Sequence, residues 1–134
     1  GICTWPYIAG FFDAEGDVAV GTTGGLQLRV SQKFDKILQL LRKSVYLHQN
    51  LSATVYKSAA ASVLVFLGRD NCKTVLRNML EAGLMGKAEQ AMAALKLTST
   101  NKSDIRAEIN ATTGNQSFGK ALDAVGCDTA QEIL

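Results

Sequence analysis

At Gly16 the hydrophobic pattern of this chain changes period, and that switch decides most of what the chain can become. Before it, Pro6 to Phe12 is nearly continuous apolar sequence, with Thr4 or Trp5 placed to cap a helix and Pro6 suited to its first turn. After it, from Asp17 to Gln32, apolar residues alternate with polar ones around Gly21-Thr22-Thr23-Gly24-Gly25. Those glycines supply the backbone freedom of a hairpin turn, and Leu26, Leu28 and Val30 against Gln27, Arg29 and Ser31 describe a half-buried strand. A helix therefore feeds directly into a β-hairpin.

The same alternation of elements continues. Phe34 to Leu47 carries Phe34, Ile37, Leu38, Leu41 and Val45 at helical spacing, with Arg42 and Lys43 opposite. A second hairpin is predicted from about Ala53 to Leu67, its register left open because Val63 to Leu67 is apolar throughout. Helices follow over Asn71 to Leu80 and Lys87 to Leu97, then after a Ser103 cap, and over Gln116 to Val125. With no linker or internal repeat, this predicts one α+β domain over residues 1–134, in which both hairpins join one antiparallel sheet, with a core at about 4–97 and a helical tail from 98.

Charge adds a partner class. The formal total is only +2. Residues 1–16 carry −2, residues 17–90 carry +5 and residues 91–134 carry −1, so positive charge gathers in the middle of the chain and makes a phosphate-facing surface plausible. Cys3, Cys72 and Cys127 are widely spaced, which suggests neither a disulfide framework nor a zinc site. They are expected to be buried or inert, and the lone His48 to be a helix-end polar residue. No apolar stretch is long enough for a membrane span, so a soluble intracellular domain without membrane partners is expected.

The first helix ends in Asp13-Ala14-Glu15-Gly16, an electrostatically odd place for acids, because a helix C-terminus already carries partial negative charge. A metal ion resolves the conflict: carboxylate and exposed backbone carbonyl are the hard oxygen ligands of Mg²⁺ or Ca²⁺.

The nine residues Ile8 to Gly16 resemble the LAGLIDADG motif of homing endonucleases. Ala9, Gly10, Asp13, Ala14 and Gly16 are identical to it, Ile8, Phe11 and Phe12 replace other apolar residues, and Glu15 replaces aspartate at the metal-binding place. The hairpin, Val30-Ser31-Gln32-Lys33, the next helix, the second hairpin and Lys87-Ala88-Glu89-Gln90-Ala91, which is similar to the family's K-x-x-Q-A segment, follow in family order. The resemblance covers roughly residues 4 to 97 and implies an αββαββα core with a DNA-binding β-sheet saddle. Only one motif is present, which implies a homodimer whose two-fold axis matches a pseudo-palindromic target.

The implied activity is metal-dependent hydrolysis of DNA phosphodiesters, giving a double-strand break with four-base 3′ overhangs. Mg²⁺ is the implied cofactor, with Ca²⁺ or Mn²⁺ as substitutes. The resemblance makes Glu15 and the Ala14 carbonyl metal ligands, has Gln32 orient the attacking water or its metal, and has Lys36 and Lys87 place positive charge by the scissile phosphate. Ile8, Ala9, Gly10, Phe12 and Asp13 form the implied dimer interface. Hairpin parity selects Asp17, Ala19, Gly21, Thr23, Gln27, Arg29 and Ser31 to face DNA, joined by Lys33 and, on the second hairpin, Tyr56 and Lys57. Arg29 is the candidate for guanine and Gln27 for adenine. The resemblance also implies an organelle (chloroplast or mitochondrion) or an archaeal or bacterial cytoplasm, and no small-molecule substrate. Intron RNA maturase or transcription regulator, a non-catalytic nucleic-acid binder on the same fold, is the competing reading, and a plain interaction module a third.

Overall fold

The computed structural model describes residues 1–112. Its order is α1 (Trp5–Glu15), β1 (Gly16–Val20), β2 (Leu26–Gln32), α2 (Lys36–Gln49), β3 (Thr54–Lys57), β4 (Ser62–Leu67), α3 (Arg69–Glu81) and α4 (Ala88–Leu95). Residues 102–112 are also helical. The expected helix over Gln116 to Val125, and Cys127, lie outside the described residues.

Thr4 caps α1, its hydroxyl accepting from the Tyr7 amide, and Pro6 sits in the first turn. The switch of period at Gly16 is abrupt: Glu15 is the last helical residue and Gly16 the first of β1. A Cβ on Gly16 would lie 2.4 Å from Phe12 Cδ1 and 2.5 Å from the Phe12 carbonyl oxygen, so no side chain fits where the helix turns into the strand. The hairpin then closes through Gly24 at φ 91° and the Gly21 N–H bonded to Gly25 O at 2.8 Å.

All four strands form one antiparallel sheet in the order β1-β2-β4-β3. Val18, Val20, Leu26, Leu28, Val30, Leu64 and Phe66 point to one face and are buried with Ile8, Phe12, Leu38, Leu41, Val45, Val75, Leu76 and Met79 of the helices. The opposite face bears the other half of each strand and, among the described residues, adds nothing to that core cluster. Burying the apolar half of the sheet under α1, α2 and α3 is the dominant stabilising term, at roughly 25 cal/mol per Å².

Several boundaries differ from the sequence reading. Phe34 is not in a helix: Asp35 is the N-cap of α2, and Phe34 stands before it at 71% exposure. The helix expected after Ser103 begins at residue 102 behind Asn101, whose side chain accepts from Thr98 N at 2.7 Å and donates to Lys96 O at 2.8 Å. Its Ile105 and Ile109 are buried in the common core, so the core extends past residue 97. Cys3 and Cys72 are buried, and burial pushes the Cys72 thiol up to about 12, which makes it inert as a nucleophile at neutral pH. His48 closes the end of α2 onto the N-terminal segment, a ring nitrogen 2.7 Å from Cys3 O. Among the described residues no helix is long and apolar enough to cross a membrane.

Candidate metal site and nucleic-acid interface

The end of α1 decides where chemistry can happen. Ala14 and Glu15 are exposed on its last turn. Of the helix's final carbonyls, that of Phe12 accepts the Gly16 N–H and that of Asp13 accepts Lys87 Nζ at 3.0 Å. Those of Ala14 and Glu15 have no intrahelical donor. Beside them an open cleft of about 410 Å³ is lined by Glu15, Ser31, Gln32, Lys33, Ala60 and Ala61. Topology explains the meeting: Gly16 pairs with Val30 and Gln32 with Ser62, which brings the end of α1, the end of β2 and the β3–β4 turn together. That turn is closed by Ser58, whose Oγ lies 2.5 Å from Ala61 O, leaving small alanines against the cleft.

A hard divalent cation fits this donor set. One carboxylate, carbonyl oxygens without an intrahelical donor and a neighbouring amide are oxygen ligands of the required kind. Among the described residues no group of three His, Cys, Asp or Glu side chains could hold a metal.

Lys36 is exposed and lines a second, apolar cleft with Gln32, Phe34, Ile37 and Leu40. Lys33 lies over the Phe34 ring, 5.5 Å from its centroid. Lys87 departs from expectation. It is 7% exposed, and its ammonium is held at the C-terminal turn of α1 rather than presented on an open phosphate surface. Its backbone N–H and that of Met85 donate to the two carboxylate oxygens of Asp13 at 2.9 Å each. The motif aspartate thus ties α1 to the start of α4, and Lys87 supplies the cation that the acidic helix end needs.

The dimer-face expectation requires correction. Ile8, Ala9 and Phe12 are 6%, 1% and 3% exposed and pack into the chain's own core, so they cannot form an intermolecular surface. Asp13 is engaged with α4. Of that expected set only Gly10 is exposed, with open space where a Cβ would be. Its helical neighbours at the right spacing include Tyr7 and Ala14, and Phe11, half-buried against the core, follows Tyr7 by one turn. Tyr7 is half exposed and stacks on Phe11, ring centroids 6.3 Å apart.

On the sheet, residues opposite one another across a ladder share a face. The outer face of β1 and β2 bears Asp17, Ala19, Gln27, Arg29 and Ser31, as parity predicts, with Gly21 and Thr23 exposed in the turn. Arg29 lies opposite Asp17 and is bonded to it, Nε to Oδ2 at 3.2 Å. The best candidate for reading guanine is therefore held and partly neutralised by its cross-strand acid. The second register is now fixed: Tyr56 faces Val63 and shares the outer face, whereas Lys57 opposes Ser62 on the inner parity. Lys57 instead reaches Asp35, Nζ to Oδ2 at 3.1 Å, and this bond holds the Asp35 carboxyl below the usual carboxylate range. Lys57 is thus set apart from the row that carries Arg29. Sequence reasoning missed both Asp35 as its partner and Val63, Val65 and Leu67 as the outer row of β4. The first hairpin's parity plus the strand order would have found the latter.

No family model matches the chain, and no curated protein matches it by sequence. Solved structures do. The homing endonuclease I-CvuI in complex with its target matches with a TM-score of 0.65 at 21% identity, over 81% of this chain and 80% of that one. The archaeal intron-encoded homing endonuclease I-Vdi141I, complexed with DNA, gives 0.62 at 15%, over 81% and 82%. The DNA-bound meganuclease I-SmaMI gives 0.62 at 15%, over 81% of this chain but 44% of that one.

Proposed function

We propose that this chain, which has the LAGLIDADG homing endonuclease fold, is a site-specific DNA endonuclease that acts as a homodimer with divalent metal. The observation that carries the reading is the position of Glu15: an exposed carboxylate at the end of an apolar helix, beside the ends of two hairpins whose outer face lies outside the core of the described residues. The neighbours in fold are DNA complexes, two of I-CvuI with Ca or Mg, which supports the same reading.

Homodimerisation follows from the two-sided apolarity of α1. Its inner side is consumed by the core, and a helix apolar all round requires a second covering. Packing Tyr7, Gly10, Phe11 and Ala14 against a second copy about a two-fold axis places two Glu15 carboxylates side by side. Glycine at the closest point lets the two backbones approach.

Glu15 and the Ala14 carbonyl would hold the metal, which supplies Lewis-acid stabilisation of charge building on the phosphate and a more acidic bound water. The chain's own residues do the rest. Gln32, across the cleft from Glu15, orients the attacking water by hydrogen bonding. Lys33 and Lys36 place positive charge where the backbone phosphate enters. Lys87 and Asp13 hold the last turn of α1 at a fixed angle to α4, so the carboxylate is aimed before DNA arrives. The outer strand faces lie in the major groove, where a two-stranded ribbon fits and alternate side chains meet base edges.

Replacement of Glu15 by glutamine tests this. The expected result is loss of Mg²⁺-dependent cleavage with DNA affinity largely kept. Retained cleavage by E15Q overturns the assignment of Glu15. Specific DNA binding by the wild-type chain with no cleavage in any divalent metal favours the second reading, a non-catalytic nucleic-acid binder. The engagement of Arg29 by Asp17 and of Lys87 by α1 is the observation on its side.

A further inference from the structure

The outer row of β4 consists of Val63, Val65 and Leu67, a wholly apolar line in the middle of a sheet face that lies outside the core cluster of the described residues. A solvent-facing row of an antiparallel sheet is ordinarily polar. Here polar rows flank it instead: Ser31, Arg29 and Gln27 on β2, and Thr54 and Tyr56 on β3. Arg29 and Thr54 stand on either side of Val65, which is 9% exposed. Val63 is half-buried between Ser31 and Tyr56. Leu67 is 48% exposed, because the β3 ladder ends at Thr54–Val65 and only Gln27 lies opposite it.

We propose that Leu67 selects thymine in the target by contact with its 5-methyl group; this rests on the reading of the chain as a sequence-specific DNA endonuclease. The 5-methyl of thymine is the apolar feature that base edges present in the major groove, and no hydrogen-bonding side chain recognises it. Val63 and Leu67, four residues apart, are about 13 Å apart along the strand, close to four base-pair steps of about 3.4 Å, so they address separate base pairs and Leu67 alone meets the one beside Gln27. Gln27 beside Leu67 completes the chemistry. Its amide is matched to the N6 and N7 edge of adenine, so the pair Gln27–Leu67 addresses both strands of neighbouring A·T pairs.

The experiment uses the full chain and the preferred site selected from a randomised pseudo-palindromic DNA library, with Ca²⁺ present so that binding is read without cleavage. Each thymine is replaced in turn by deoxyuridine, which lacks only the methyl. At one symmetry-related pair of positions affinity should fall about fourfold per thymine, the factor expected for one buried methyl. Leu67→Ala should bind more weakly and show no penalty from deoxyuridine at those positions, while retaining its penalties elsewhere. Its half-exposed site makes the variant foldable, and circular dichroism checks that. Sequence-specific binding indifferent to deoxyuridine at every thymine overturns the proposal and leaves the endonuclease reading standing. An unchanged deoxyuridine penalty in Leu67→Ala also overturns it. Absence of any specific DNA binding by the wild-type chain overturns the reading beneath it.

Discussion

On the inner side of α1, Ile8 and Phe12 fill the space between helix and sheet, and Ala9 lets the helix sit close; on the outer side, Tyr7, Gly10 and Ala14 stop at solvent, with Phe11 half-buried at the border. The two sides are alike in composition and unlike in the neighbours the chain gives them. Composition therefore tells that both sides need covering, and only the packed chain tells which one it covers itself. Under the proposed homodimer, the outer side is the one a second copy would cover.

Substitutions separate the two sides. Phe12→Ala should cost about 3–5 kcal/mol of folding stability, because a nearly fully buried ring against Gly16 leaves a cavity the strand junction cannot close; urea unfolding measures it. A loss below about 1 kcal/mol would mean that the inner side is not core. Gly10→Leu should do the reverse. Nothing within 4 Å blocks a Cβ there, and replacing glycine inside a helix favours folding by about 0.5–1 kcal/mol. Yet association should weaken by about 2 kcal/mol or more, since the two-fold axis repeats the clash. Sedimentation and thermal unfolding on the same sample check both signs at once; a variant that dimerises normally breaks the comparison.

At the end of the helix, Asp13→Asn removes one of the two acceptors bonded to Met85 and Lys87 amides. It should cost about 1–2 kcal/mol and reduce cleavage by misaiming Glu15, with Tm and turnover measured together. The smallest effect is expected far from α1. The Asp35 carboxyl is lowered by its exposed bond to Lys57, so the pair's contribution is present above the unfolded value of about 3.8 and disappears as pH falls through the folded one. Asp35→Asn should therefore change Tm slightly at pH 7, by an amount that shrinks as the pH falls. A difference that grows on acidification contradicts the sign.

Much of the fold was legible because period marks elements: the switch at Gly16, the alternation over Leu26 to Val30 and the helical spacing through Val45 all lie where the structure has them. The register of β3 was not, since Val63 to Leu67 is apolar at both parities and only pairing with β2 on one side and β3 on the other orients it. In the sequence, Ile8, Ala9 and Phe12 read as interface instead of core for a related reason. A helix apolar on every side has no periodic signal to say which stripe faces inward. Lys87 and Lys57 looked alike as basic residues, but one is buried against a helix end and the other pairs with Asp35, contacts that join residues 74 and 22 positions apart and leave no local mark.

The most direct measurement is cleavage of a randomised pseudo-palindromic DNA library by the wild-type chain with Mg²⁺, read as a function of protein concentration. The account predicts double-strand breaks at one family of two-fold symmetric sequences, abolished by chelation and rising with the square of protein concentration below the dimerisation constant. Absence of cleavage, or breaks that persist in chelator, would contradict it.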